Sequence, residues 1–116
     1  MRNFQELSIW QRSHSLTLKI YSATKKFPKE EMFGLVSQMR RSSSSIPTNI
    51  AEGCGRSSNA ELRRFFTIST GSASELEYQL ILAKDLHYFA ETLFKELYNE
   101  LKKKKKMIYS FIKNIP

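Results

Sequence analysis

The sequence has few of the residues that cross-link chains, bind metals or break helices. It contains one cysteine, two histidines, three prolines and four glycines. Cys54 therefore has no partner for an internal disulfide, and neither His14 nor His87 lies at metal-ligand spacing from a second ligand. We expect no disulfide, no metal and no other cofactor.

Long apolar runs are also absent. No stretch reaches the roughly 18 apolar residues that span a bilayer, and residues 1–6 lack the apolar segment of a secretory signal. A hydrophobic content of 41% and a mean hydropathy of -0.44 are typical of a globular domain. The sequence predicts one domain over residues 1–116, a cytoplasmic location and no membrane partner.

Acidic residues are missing from the C-terminal part. Residues 102–116 contain six lysines and no acid, whereas the other 101 residues contain 13 basic and 11 acidic side chains. The formal net charge of +8 favours a polyanionic partner. Most of that charge belongs to one segment.

Apolar residues recur at steps of three and four along four long segments, as on one face of a helix. The first helix is predicted over about 6–26, because Pro28 pushes the preceding residue out of the α conformation. The second is predicted over about 28–52, with a kink at Pro47, since proline removes one backbone hydrogen bond. We expect the hydroxyls of residues 42–45 to occupy the carbonyls freed there.

The third helix has the most specific boundary signal. Ser58 and Glu61 form a capping box, and the helix is predicted to end near Leu86. Gly71 costs about 1 kcal/mol relative to alanine, so we expect a neighbouring helix to approach closely there. A fourth helix follows a break near residues 87–89. Short connections make neighbours antiparallel, so the predicted fold is an all-α, up-down-up-down four-helix bundle.

The lysine run of residues 102–106 is the main candidate for binding. Five consecutive positions cover more than one helical turn, and Lys104 and Lys105 fall within the apolar stripe. The run is either a solvated helix end or a phosphate-contacting patch. The residues predicted to contact nucleic acid are Lys102, Lys103, Lys104, Lys105, Lys106, Lys113, Arg40, Arg56, Arg63 and Arg64.

A second polar set follows helical spacing on helices two and three. Antiparallel pairing predicts a buried or half-buried Arg41–Glu75 ion pair, which would be costly to break on one side. A network that fixes helix register or a subunit interface is favoured over chemistry, because ion-pair networks imitate functional sites. Its predicted members are Gln38, Arg41, Ser45, Asn49, Glu52, Ser72 and Glu75.

The sequence offers no complete set of catalytic groups. No histidine can be placed beside Cys54 from spacing, and residues 53–56 lack the lysine and hydroxyl of a phosphate loop. We predict that the protein is not an enzyme and has no small-molecule substrate. A nuclease site assembled only by the tertiary structure is a third alternative.

One segment closely resembles the signature of a bacterial four-helix-bundle family, the 23S rRNA-intervening-sequence (S23 ribosomal protein-like) proteins. It runs from Gln38-Met39-Arg40-Arg41 through Ser45-Ile46-Pro47-Thr48-Asn49-Ile50-Ala51-Glu52-Gly53, and the likeness covers about residues 4–112. The resemblance implies an antiparallel bundle without established catalytic residues. It also implies similarity to the accessory proteins of diversity-generating retroelements, which are basic, pentameric and bind nucleic acid. Residues 42–44 are serines where the family usually has alanines, which predicts a more polar seam.

These observations favour a non-enzymatic homo-oligomer, a homopentamer by resemblance, that binds rRNA or DNA through backbone charge. Assembly would multiply the charge of one chain into a stronger field. The alternative is a scaffold or adaptor that binds a protein partner and has no nucleic-acid role.

Overall fold

The computed structural model describes residues 2–116 and is built almost entirely of helices. Single 3-10 turns at Phe4–Glu6 and Lys29–Glu31 precede the first and second α-helices. The α-helices are α1 (Ser8–Thr24), α2 (Leu35–Cys54), α3 (Asn59–Asp85) and α4 (Glu91–Lys113). Residues 2–116 contain no strand, which confirms the predicted all-α four-helix bundle. None of these helices combines the length and the apolarity needed to cross a membrane.

The helices form a closed ring of four. α1 packs on α2 and α4, and α3 packs on the same two helices. Between α2 and α3, Ser42 contacts Gln79 and Ser45 contacts Ser72, so the partner's residue number falls as the number on α2 rises. These two helices therefore run in opposite directions.

The core consists of the apolar stripes that the spacing predicted. Ile20, Met39, Ile50 and Leu76 are fully buried between the helices, and this burial is the main stabilising contribution to such a fold. α3 and α4 are further joined by the stacked rings of Phe66 and Phe111, whose centroids lie 4.6 Å apart.

α2 begins later than predicted. Pro28 leads into one 3-10 turn, and α2 starts only after Gly34. The Glu31 carboxylate accepts a hydrogen bond of 3.3 Å from the Leu35 N–H, so it stabilises the first turn of α2 in place of an N-cap side chain.

α2 continues through Pro47. Because Pro47 has no N–H, the Ser43 carbonyl loses its intrahelical donor. That carbonyl lies 2.9 Å from the Thr17 hydroxyl of α1. The expectation that serine hydroxyls fill the freed carbonyl is wrong, since the hydroxyls of residues 42–44 bond carbonyls three residues earlier.

Two glycines have opposite surroundings. A Cβ on Gly53 would lie 3.1 Å from the Cβ of Phe65, whereas a Cβ on Gly71 would meet nothing within 4 Å. The expected close approach of a helix is therefore absent at Gly71 itself, although α2 approaches α3 at the next residue, where the Ser72 hydroxyl lies 2.8 Å from that of Ser45. Gly53 lies within α2, and the following Gly55 ends the helix in a right-handed conformation.

Both ends of α3 are capped. The Ser58 hydroxyl accepts from the Glu61 N–H at 3.1 Å, but the Glu61 side chain pairs with Arg64 instead of reaching back. At the other end His87 has a φ of 60°, the left-handed conformation in which glycine is usual. The break between α3 and α4 therefore includes residues 87–89, where it was predicted.

Candidate nucleic-acid interface

The helical repeat distributes the lysine run over three sides of α4. Successive residues project about 100° apart, so Lys102 and Lys105 point towards α3, where both approach Glu77. Lys104 is buried, whereas Lys103 and Lys106 are exposed. The run is therefore not one continuous patch.

Two of these lysines share the carboxylate of Glu77. Its carboxylate lies 2.9 Å from the Lys105 ammonium and 3.7 Å from that of Lys102, and it accepts a 3.0 Å hydrogen bond from the Tyr98 hydroxyl. The hydrogen bond from Lys105 lowers the pKa of Glu77 despite partial burial. Glu77 therefore offsets one of the two positive charges of Lys102 and Lys105, and it engages Lys105 more closely than Lys102.

Lys104 is the exceptional member of the run, because only 8% of its surface is exposed. Burial lowers the pKa of the Lys104 ammonium, although the nearby Glu100 carboxylate acts in the opposite direction. Within residues 2–116 no carboxylate lies within 4 Å of this ammonium. Its aliphatic stem occupies a core position, as the apolar spacing predicted.

Two of the predicted arginines are paired with acids. Arg56 bonds Glu52 at 3.0 Å, and Arg64 bonds Glu61 at 2.9 Å. Both guanidinium groups also lie over the Phe65 ring, with centroid distances of 4.8 and 4.5 Å. These side chains form a compensated cluster at the turn between α2 and α3.

The other two predicted arginines bind parts of the bundle. Arg40 donates to the Thr24 hydroxyl at 3.0 Å and lies over the Tyr21 ring at 4.8 Å. Arg63 donates to the main-chain oxygen of Pro116 at 2.8 Å. Arg40 therefore ties α2 to α1, and Arg63 ties α3 to the segment after α4.

Among the residues predicted to contact nucleic acid, three lysines are both exposed and without an acidic partner in the described part of the chain. Lys103, Lys106 and Lys113 are exposed, and no carboxylate among residues 2–116 lies within 4 Å of them. Arg12 of α1 joins them, because its guanidinium lies 3.8 Å from the sulfur of Met107 on α4. Sequence reasoning missed Arg12, since no local pattern shows that α1 packs beside α4.

The predicted polar network is only partly assembled. The Ser45 hydroxyl lies 2.8 Å from that of Ser72, and the Asn49 amide donates to the Ser45 oxygens at 2.8 and 2.9 Å. The buried bond of 2.6 Å between Ser42 and Gln79 was missed. Small side chains therefore occupy the seam between α2 and α3.

The predicted Arg41–Glu75 pair does not form in the described part of the chain. Both side chains are exposed, no ion pair joins them, and Gln38 is exposed as well. The serine-lined seam brings α2 and α3 close together and leaves long charged side chains on its outer edges.

A second surface is apolar and was not predicted. An open groove of about 740 Å³ runs between α1 and α2, and its lining includes Trp10, Leu18, Tyr21 and Pro47. Leu18 is 57% exposed, and Phe33, beyond one end of the groove, is 92% exposed.

Comparison with known proteins identifies the family. The profile described as 23S rRNA-intervening sequence protein matches residues 5–110. A crystal structure from Bacteroides thetaiotaomicron, described as a protein of unknown function from the S23 ribosomal protein family, is similar with a TM-score of 0.82 and 25% identity. The similarity covers 91% of this chain and 99% of that one. No curated protein matches significantly. The fold and the extent of the sequence match together place this chain in the 23S rRNA-intervening sequence protein family.

Proposed function

We propose that the protein is a non-enzymatic homo-oligomer that binds RNA or DNA through the phosphate backbone. The observation that carries this proposal is the set of exposed lysines in the C-terminal half of α4, Lys103, Lys106 and Lys113, which have no acidic partner within residues 2–116. When unpaired lysines neutralise phosphates, counterions are released from the nucleic acid, and this release favours binding. Contacts with phosphates do not distinguish one base from another.

Lys106 and Lys113 lie on one face of α4 because they are seven residues apart, or nearly two helical turns. Lys103 lies one turn before Lys106 and is rotated towards α1. The three ammonium groups therefore follow the length of the helix, as contacts to successive phosphates require.

Assembly is supported by exposed apolar residues in the connection between α1 and α2. Phe33 is 92% exposed and Met32 56% exposed, and contiguous apolar surface is often an interaction site. A second copy is the occupant that we propose, and the family resemblance suggests five subunits. An oligomer brings several α4 lysine sets to one nucleic acid, which raises affinity without new contacts.

The first test is binding to a labelled rRNA fragment and to DNA of matched sequence across a salt series. For a single strand, log K falls against log salt by about 0.7 per phosphate contacted. Changing Lys103, Lys106 and Lys113 to Glu should abolish binding. The matched control changes the exposed Lys25, Lys26 and Lys29, at the opposite end of the bundle, to Glu.

The control variant, in which Lys25, Lys26 and Lys29 are changed to Glu, distinguishes binding at a local site on α4 from a general effect of net charge. If it loses as much affinity as the α4 variant, binding is not localised on α4. If the wild-type protein binds neither nucleic acid at low salt, the proposal is wrong and the scaffold alternative takes its place. Intact labelled RNA after incubation with magnesium is the expected result for a protein that is not a nuclease.

The oligomeric state is tested by light scattering. Phe33→Asp should dissociate the oligomer without unfolding the subunit, because the ring makes few contacts within its own chain. Tyr109→Asp, at a residue 49% exposed on α4, is the matched control. A monomeric wild-type protein would contradict the assembly part of the proposal.

A further inference from the structure

The seam between α1 and α4 concentrates cations around a single carboxylate. Glu100 of α4 pairs with Lys19 of α1 at 2.7 Å. Lys104 lies one turn further along α4, and the charges of Arg12, Lys19 and Lys103 all act on its ammonium. Lys19 engages one oxygen of the Glu100 carboxylate, Oε1, whereas the other, Oε2, is buried and has no hydrogen-bond partner within residues 2–116.

Two of these cations, Lys104 and Arg12, have no carboxylate within 4 Å in the described part of the chain. Lys104 is only 8% exposed, and within residues 2–116 it has neither an ion pair nor a hydrogen-bonded acceptor on its ammonium. Arg12 makes its contact at 3.8 Å to the Met107 sulfur. A thioether is a weak acceptor for a guanidinium group that presents five donors.

The positions of these side chains converge from two helices. Glu100, Lys103 and Met107 follow steps of three and four along α4, so they share the side that faces α1. Glu100 meets Lys19 and Met107 meets Arg12. Lys103 therefore lies between two established contacts of α1 with α4, beside the Lys104 stem.

We infer that Arg12, Lys103 and Lys104 bind one backbone phosphate of a nucleic acid at the seam between α1 and α4. This inference rests on the proposed function and locates one contact within it. A guanidinium group matches two phosphate oxygens with parallel hydrogen bonds, and the two ammonium groups add charge from the α4 side.

The inference separates two groups of lysines that the sequence treats alike. Lys102 and Lys105 lie on the side of α4 that faces α3, where they share the Glu77 carboxylate. A binding mode based on total charge would weight all five lysines of the run equally. The seam predicts that Lys103 and Lys104 contribute and that Lys102 and Lys105 contribute little.

The experiment compares variants in their affinity for a labelled single-stranded rRNA fragment across a potassium chloride series. Lys104→Met removes the charge and keeps an unbranched apolar stem, and Arg12→Gln removes the guanidinium group. Lys102→Met and Arg56→Gln are matched controls, because both residues are paired with acids. Thermal unfolding of each free variant measures folding independently of binding.

Arg12→Gln and Lys104→Met should each weaken binding roughly tenfold at low salt and make the salt slope shallower by about 0.7. The controls should keep the wild-type slope, and Lys104→Met should unfold at the wild-type temperature or above it. Wild-type slopes for both seam variants would overturn this inference and leave the proposed function standing.

Absence of RNA binding by the wild-type protein would instead overturn the proposed function. A parallel titration with inorganic phosphate, followed by thermal unfolding, identifies the source of the anion. If phosphate stabilises the wild-type protein but not Lys104→Met, and RNA does not bind, the seam is a free-phosphate site and the assignment to nucleic acid is wrong.

Discussion

The Thr17 hydroxyl of α1 lies 2.9 Å from the Ser43 carbonyl oxygen of α2. This carbonyl is the one from which Pro47 removes the intrahelical donor. Thr17 is 7% exposed and Ser43 is 1% exposed, so water has little access to the carbonyl. α1 therefore offers a donor to the carbonyl that α2 leaves without one, and the Thr17 hydroxyl shares its proton between this carbonyl and that of Ser13, 3.0 Å away.

Thr17→Val should lower the free energy of unfolding by about 1–3 kcal/mol, because it leaves a buried carbonyl without a donor. Pro47→Ala restores a backbone N–H that can reach the Ser43 carbonyl within the helix. In that background the cost of Thr17→Val should fall to less than half. Urea denaturation of the four proteins measures the coupling, and an equal cost in both backgrounds would show that the hydroxyl does not act through this carbonyl.

The two glycines of α2 and α3 with contrasting surroundings should respond to alanine with opposite signs. Gly53→Ala places a Cβ 3.1 Å from the Phe65 Cβ and 3.2 Å from Phe66 Cδ1, which should destabilise the protein by about 1–3 kcal/mol through overpacking. Gly71→Ala meets nothing within 4 Å and should stabilise the protein by about 0.5–1 kcal/mol. Unfolding midpoints that move in the same direction would contradict the difference in packing.

The contacts of Glu77 should make stability depend on acid pH. The hydrogen bond from Lys105 is the main cause that lowers the pKa of Glu77 below its ordinary value of 4.5. The stabilisation is therefore complete above that ordinary value and is lost as the pH falls through the lowered folded-state pKa. Glu77→Gln should flatten the dependence of unfolding free energy on pH in this acidic range. Glu75→Gln, at an exposed and unpaired residue of the same helix, should keep the wild-type profile.

Glu77→Gln should also strengthen binding to nucleic acid. Removal of this carboxylate leaves Lys102 and Lys105 without their acidic partner, so both become available for phosphates and the salt slope should steepen. The same titration on Glu75→Gln controls for the loss of one negative charge. If both variants gain equally, the gain reflects net charge, and local release of the two lysines is not its cause.

The sequence by itself determined the helices and much of the core. Apolar residues at steps of three and four specify which side of each helix is buried, since a helix fixes the direction of every side chain along its length. The Ser58 cap is equally local, because its hydroxyl bonds a backbone N–H three residues away. The later start of α2 was not predicted, because the contact between Glu31 and Leu35 competes with the signal from Pro28.

Only the tertiary structure decided which charges are available to a ligand. Lys102 and Lys105 look equivalent to Lys103 along the chain, but the first two share the Glu77 carboxylate of α3. Arg12 acquires its place beside α4 because the first and last helices close the ring. Arg41 and Glu75 were likewise predicted to pair from their spacing, but both side chains are exposed and no ion pair joins them. Helical spacing fixes the face on which a charge lies, whereas pairing depends on the separation and rotation of helices that are distant in sequence.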